Sequence, residues 1–271
     1  MNSTTPGAST NSTAPSRLQL RNLEMCVFSI NLLFGLPTHS YIIWLIITGS
    51  GVASEFFNLN LSVCEIGVCL DHLFFILFHW ISVLAPLALL LQGLGITGRP
   101  LFQCLMCVER YLAVVHPVTF LKYKPLRYRV ICCTAAWIIT LGSCLVCLIT
   151  LMTYNINAHA WLFLLQFLLF FFIQLFCLVA VLRALKQSGP GERRGEENHM
   201  KRRAFYLILI TTVNMVIAYV PIIISGVSII LKNEYDLTFW GPGLVCFSLA
   251  GFVQPVLYLH RTGKLSCLSS S

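Results

Sequence analysis

The sequence predicts an all-α membrane protein, a seven-transmembrane helix bundle with its N-terminus outside and its C-terminus cytoplasmic. Three observations predict it. The 271 residues are 57% hydrophobic and only 10% charged, against about 25% charged in an average soluble domain. The apolar runs are long and continuous, as helices of roughly 20 residues crossing the hydrocarbon must be. They lack the alternating segments of about 10 residues that a membrane barrel would show. The basic residues, finally, gather in alternate connections between the runs. A mean hydropathy of +0.81 excludes a soluble enzyme with one buried core, and equally a disordered chain, which needs high charge and low hydrophobicity.

The chain opens with a polar stretch rich in Ser, Thr and Pro, MNSTTPGASTNSTAPSR. It has no apolar h-region, so it does not read as a cleaved signal peptide. Asn2 and Asn11 each begin an Asn-Ser-Thr glycosylation sequon. Residues 1–24 are therefore expected to form an extracellular, glycosylated, flexible tail, residues 25–260 the seven-helix domain and residues 261–271 a short cytoplasmic tail.

The spans are expected from Met25 to Thr48, Phe57 to Trp80, Val83 to Val114, Tyr128 to Met152, Ala158 to Leu185, Ala204 to Leu231 and Phe239 to Leu259. The second and third are the hardest to divide, and only a tight turn near His79–Pro86 separates them. The segment from Gln187 to His199 reads as a polar loop broken by Gly189, Pro190 and Gly191. Charge sets the orientation. Lys122, Lys124, Arg127 and Arg129 follow the third span. Arg183, Lys186, Arg193, Arg194, Lys201, Arg202 and Arg203 follow the fifth. Arg261 and Lys264 follow the seventh. The opposite side holds only Arg17, Arg21 and Lys232, so the bias is positive-inside. It accounts for the net charge of +8, and nucleic acid is not an expected partner.

Several local patterns read as packing. Cys104-x-x-Cys107 and Cys144-x-x-Cys147 lie within apolar helices, where cysteine is a small apolar residue. Gly93-Leu-Gly95-Ile-Thr-Gly98 matches a dinucleotide fingerprint, but it lies inside the third span without the strand and helix start its mechanism needs. Its small residues are expected to allow close helix approach. The run from Phe167 to Phe176 is expected to face lipid. Cys267 is a palmitoylation candidate. No metal or cofactor site and no enzyme constellation is expected.

Ionisable groups within the membrane are costly and point to function. His39 lies in the first span, Glu65 and Asp71 in the second with His72 beside them, and Arg99 in the third. Glu65 and Arg99 fall at similar depth on adjacent spans and are expected to form an intramembrane ion pair, an Arg fork on a carboxylate.

Glu109-Arg110-Tyr111 ends the third span and is followed by His116-Pro117. With Asn58-Leu-Asn60-Leu-Ser62 in the second span, Trp137 in the fourth, Tyr219-Val-Pro221 in the sixth and Gln254-Pro255-Val-Leu-Tyr258 in the seventh, it resembles the rhodopsin-like (class A) G-protein-coupled receptors. The resemblance covers Met25 to Leu259. Gly35-Leu-Pro37 followed by Trp44 is similar to the branch with nucleotide, lipid and protease-activated receptors. The resemblance implies a plasma-membrane receptor that transduces an extracellular ligand to heterotrimeric G proteins. It implies switch and coupling roles for Glu109, Arg110, Tyr111, Tyr219, Pro221, Gln254, Pro255 and Tyr258.

The departures from the family pattern carry expectations of their own. Glu65 replaces the sodium-site Asp and Arg99 a small polar residue facing it, so a fixed cation stands where the family binds a mobile one. Ala85 replaces the Cys that opens the third span, which removes the usual extracellular disulfide. Lys201 replaces the acid that pairs with Arg110, and Met215 replaces a Phe. High basal activity or impaired signalling follows. Gln92 at the amine-anchoring position argues against a biogenic amine, and Ser248 at the Schiff-base position against retinal. The ligand-pocket candidates are His72, His79, Gln92, Gln166, Tyr219 and Ser248. Two other readings stand beside the receptor. One is an ion channel or transporter using Glu65, Asp71 and Arg99 as a relay. The other is a receptor-shaped membrane protein that does not signal.

Overall fold

A computed structural model describes residues 17–49, 52–123, 126–186, 194–232 and 237–262. Asn2, Asn11, Lys124, Arg193, Lys264 and Cys267, and the expectations placed on them, lie outside the described residues. Among the described residues there is no strand, and seven helices are long and apolar enough to cross a membrane. The spans are Leu18–Thr48, Phe56–Phe78, Ser82–Val115, Leu126–Met152, Ile156–Lys186, Lys201–Ser228 and Phe239–Arg261. The chain is thus a multi-pass membrane protein. The second and third spans part at a 3-10 turn, Ser82–Leu84, and Pro86 sits in the first turn of the helix that follows. There its missing N–H costs no helical bond.

Two boundaries differ from expectation. The first helix begins at Arg17, so residues 17–24, read as flexible tail, are helical and lie against the seventh span. Trp240 there donates its indole N–H to Glu24 at 2.9 Å. The sixth helix begins at Arg194, so the later part of the polar segment, Arg194 to His199, is helix and not loop. Both extensions lie beside an apolar helix, and an added turn needs no new nucleus.

Two spans contain a π-helical turn, Asn31–Gly35 in the first and Leu94–Gly98 in the third. Each is followed two residues later by a proline, Pro37 or Pro100. Proline lacks a donor and clashes with the carbonyl four residues before it, and a widened turn relieves that clash. In the third span the Arg99 N–H bonds back to the Leu94 carbonyl, and Pro100 has no N–H to offer Gly95. The Gly95 carbonyl therefore needs a partner from outside its own helix.

The third span is the central helix and touches the second, fourth, fifth and sixth, while the seventh packs on the sixth and the first. Its glycines set the approach distances. A Cβ on Gly93 would lie 2.6 Å from the Cys144 Cα, one on Gly95 2.8 Å from the Phe247 ring and one on Gly98 2.6 Å from the Cys64 sulfur. The glycine pattern is therefore a packing seam. Cys104, Cys107, Cys144 and Cys147 are buried among apolar side chains. The phenylalanine run of the fifth span is divided. Phe172 and Phe176 face outward, whereas Phe170 is buried and Phe167 and Phe171 pack toward Tyr219. The run covers several helical turns, so it cannot turn a single face to lipid.

Candidate functional site

A cavity of about 280 Å³ opens between the ends of the spans that carry Glu24, Phe75, Leu151 and Trp240. Its walls are mostly apolar, with Phe28, Phe75, Phe163, Phe247 and Trp240 supplying aromatic surface. The polar lining is Glu24, Asp71, His72, Gln92, His159 and Ser225. Of the six expected pocket residues the cavity takes His72 and Gln92. The other four do not line it. Gln166 is held in a ring of hydrogen bonds between three spans: Thr97 donates to its Oε1 at 2.5 Å and its Nε2 donates to Ser143 at 3.3 Å. Because the Thr97 proton is committed to Gln166, the 2.5 Å contact between the Thr97 and Ser143 hydroxyls has Ser143 as donor. Ser248 is buried away from the cavity, with its hydroxyl unpartnered among the described residues. His79 lies just past the end of the second span, exposed, with its ring edge-on to Trp80. Tyr219 lies beneath the cavity, 2% exposed.

Tyr219 resolves the open valence of the third span. Its hydroxyl donates to the Gly95 carbonyl at 2.8 Å, the group that the π turn and Pro100 left without an intrahelical donor. Its ring meets Phe247 edge-on at 5.5 Å. Gly95 and Phe247 both line the cavity, so the cavity floor is tied directly to the sixth span.

Below the floor Arg99 and Glu65 form a bidentate pair. Arg99 Nε donates to Oε1 at 2.6 Å and Nη2 to Oε2 at 2.7 Å. The third donor, Nη1, reaches the Phe247 carbonyl at 2.8 Å. The guanidinium also lies 4.3 Å from the centre of the Phe247 ring. Side-chain exposure is 1% for Arg99 and 6% for Glu65, so one buried cation joins the second, third and seventh spans. A charge sealed this deeply is tolerable because its partner and its hydrogen bonds offset the desolvation. His39 is buried in the first span, and its Nδ1 has no partner among the described residues.

No family model matches the chain. It is 26% identical over 169 residues to the C-C chemokine receptor type 8 of Homo sapiens, covering 55% of this chain and 45% of that protein. It is 28% identical over 220 residues to hydroxycarboxylic acid receptor 2 of Rattus norvegicus, covering 72% and 59%. It is 24% identical over 282 residues to the uracil nucleotide/cysteinyl leukotriene receptor of Rattus norvegicus, covering 89% and 80%. The chain thus spans less than two thirds of the length of the first two relatives and more than that of the third. The chain also has seven helices of membrane length. The chain resembles the rhodopsin-like G-protein-coupled receptors.

The motifs that carry this resemblance meet at the opposite end of the bundle. A cleft of about 40 Å³ is lined there by Asn58, Arg110, Thr211, Gln254, Tyr258 and Arg261, among others. Among the described residues no hydrogen bond or ion pair holds Arg110. Glu109 forms an ion pair with Arg129 of the fourth span, and Arg129 also donates to the Ala53 carbonyl. The acid sits one residue before Arg110 and so points about 100° away around the helix, toward the fourth span. Tyr111 bonds His116 at 3.0 Å. Gln254 donates to Thr211 at 3.0 Å and Asn214 to the Ala250 carbonyl at 3.2 Å, which links the sixth and seventh spans. Tyr258 packs on Ile42, Leu45 and Ile46 of the first span. Arg261 pairs with Glu55, which also accepts from Asn58 at 2.5 Å. Trp137 donates to Asn60 at 2.9 Å. Asp71, His159, Glu24 and Trp240 were not expected in the pocket. Of these only Asp71 left a signal in the sequence, as an acid within a span.

Proposed function

We propose that the chain is a plasma-membrane receptor that couples an extracellular ligand to heterotrimeric G proteins. The N-terminus and the large cavity face outside, and the Arg110 cleft faces the cytoplasm. The observation that carries this reading is that the cavity floor is built from the groups that tie the third span to the sixth and seventh. A ligand resting on Gly95 and Phe247 touches the acceptor of Tyr219 and the residue that Arg99 grips. A ligand that binds better when those contacts rearrange shifts the population toward that arrangement. Pro221, which lies inside the sixth helix, provides the bend about which its inner half swings. Arg110, already without an ion-pair partner, then lines a widened cleft for the G protein. Tyr258, Pro255 and Gln254 support the inner half of the seventh span.

The closed Glu65–Arg99 pair favours this over a proton or ion relay, because each group spends its charge on the other. Lys201 in place of an acid at the base of the sixth span favours basal activity. Ser248 argues against retinal, and Gln92 against an amine anchored on the third span. The relatives' names cover chemokines, hydroxycarboxylic acids, uracil nucleotides and cysteinyl leukotrienes, so they carry over no single ligand class. Ligand-free G-protein activation in cells is the test, with the unaltered chain and Arg110→Ala compared at equal surface expression. Basal activity that is lost on substitution is the expected result. Equal activity in the two would remove Arg110 from coupling.

A further inference from the structure

We infer that the large cavity selects a lipophilic organic cation, with its ammonium group set against Asp71. The inference rests on the reading of that cavity as the ligand site and deepens it. The lining holds two acidic side chains and no permanent cation. Glu24 and Asp71 contribute carboxylates, and no lysine or arginine lines the space. Arg99, the nearest fixed cation below the floor, is sealed and neutralised by Glu65.

The two acids differ. Glu24 accepts the Trp240 indole N–H. Asp71 has no hydrogen bond or ion pair among the described residues, though it lies about 10 Å below the end of its helix at about 1.5 Å per residue. An unpaired carboxylate at that depth is costly, and such groups mark ligand or ion sites. Gln92 removes a third-span carboxylate from this cavity, and Asp71 supplies one from the second span.

A second group awaits a partner in the same lining. His72 is 3% exposed. Asn31 donates to its Nδ1 at 3.0 Å and Phe28 stacks on its ring at 4.4 Å. The ring proton is therefore on Nε2, which has no acceptor among the described residues. A ligand oxygen, such as an ether or hydroxyl, would meet it. The aromatic walls complete the match. Phe75, Phe163, Phe247 and Trp240 present ring surface, which attracts a desolvated cation and accommodates an apolar body. An anion would instead meet two acidic groups and no compensating cation.

Three probes of one shape test this: phenoxypropylamine, phenoxypropanol and phenoxybutyrate. Binding to the purified full chain in detergent is read from the dose dependence of its thermal stability. The amine should bind at least about tenfold more tightly than the alcohol, the ratio expected of a charge-assisted contact, with the carboxylate weakest. Asp71→Asn should bring the amine down to the alcohol's level while the alcohol is unchanged, which shows an intact cavity. Should Asp71→Asn fail to fold, the ranking on the unaltered chain decides alone. Carboxylate binding equal to the amine's, an amine no tighter than the alcohol, amine binding indifferent to Asp71→Asn, or no binding by any probe would each overturn the inference. Amine binding without any G-protein response would leave it standing and count against the signalling reading alone.

Discussion

Arg99 engages every nitrogen of its guanidinium: two on Glu65 and one on the Phe247 carbonyl, with its face on the Phe247 ring. Removing one member of such a pair leaves the other charged and buried, which typically costs about 3–5 kcal/mol. Removing both leaves a smaller deficit. Arg99→Gln and Glu65→Gln are therefore expected each to lower the melting temperature of the purified chain more than the double variant does. A double variant whose loss equals the sum of the two would show that the groups act independently. The same geometry bears on sodium. The Glu65 oxygens are occupied by Arg99, so exchanging potassium for sodium at equal ionic strength should leave the melting temperature unchanged. A rise in sodium would mean that the carboxylate still takes a mobile ion. Gly251 closes the site from the seventh span, where an added Cβ would sit 3.2 Å from Glu65 and 3.3 Å from Arg99.

At the scale of an element, the third span joins the cavity to the rest of the bundle. Its π turn exposes one carbonyl, and that carbonyl is where the sixth span attaches through Tyr219. Its glycines decide how near its neighbours come. Gly93 lies against the backbone of the fourth span at Cys144, and backbone cannot swing aside as a side chain can. Gly93→Ala should therefore destabilise the fold by about 1–3 kcal/mol, the usual range for overpacking. Gly142, on the fourth span, has nothing within 4 Å of an added Cβ. Gly142→Ala is the matched control, and alanine's better helix propensity should leave it neutral or slightly more stable. Surface yield and melting temperature read both. Equal behaviour of the two variants would mean that the third and fourth spans can separate at no cost.

For the whole molecule, the arrangement of charge across the membrane makes a direct prediction. An epitope tag at the N-terminus should be accessible on intact cells, and one at the C-terminus only after permeabilisation; the reverse pattern would put the large cavity in the cytoplasm. The seven spans were legible in the sequence because hydropathy is a local property, summed over each run without reference to its neighbours. Glu65 and Arg99 could be matched for the same reason, since depth along a straight helix is a count of residues. The membership of the cavity was not legible in that way. It depends on the rotation of each helix about its axis, which only packing sets. The π turn in the third span adds a residue to one turn and so shifts everything beyond it by about 100° relative to a regular helix. Gln166 and Ser248 turned inward to packing positions, and Glu109 turned to Arg129. Meanwhile Asp71 and His159 came to line the cavity. By itself the sequence determined a seven-span helix bundle with a charged pair in its core, because burial in lipid constrains each helix separately. Only the tertiary structure decided which polar groups face one space and carry one sign of charge, because that is a relation among helices.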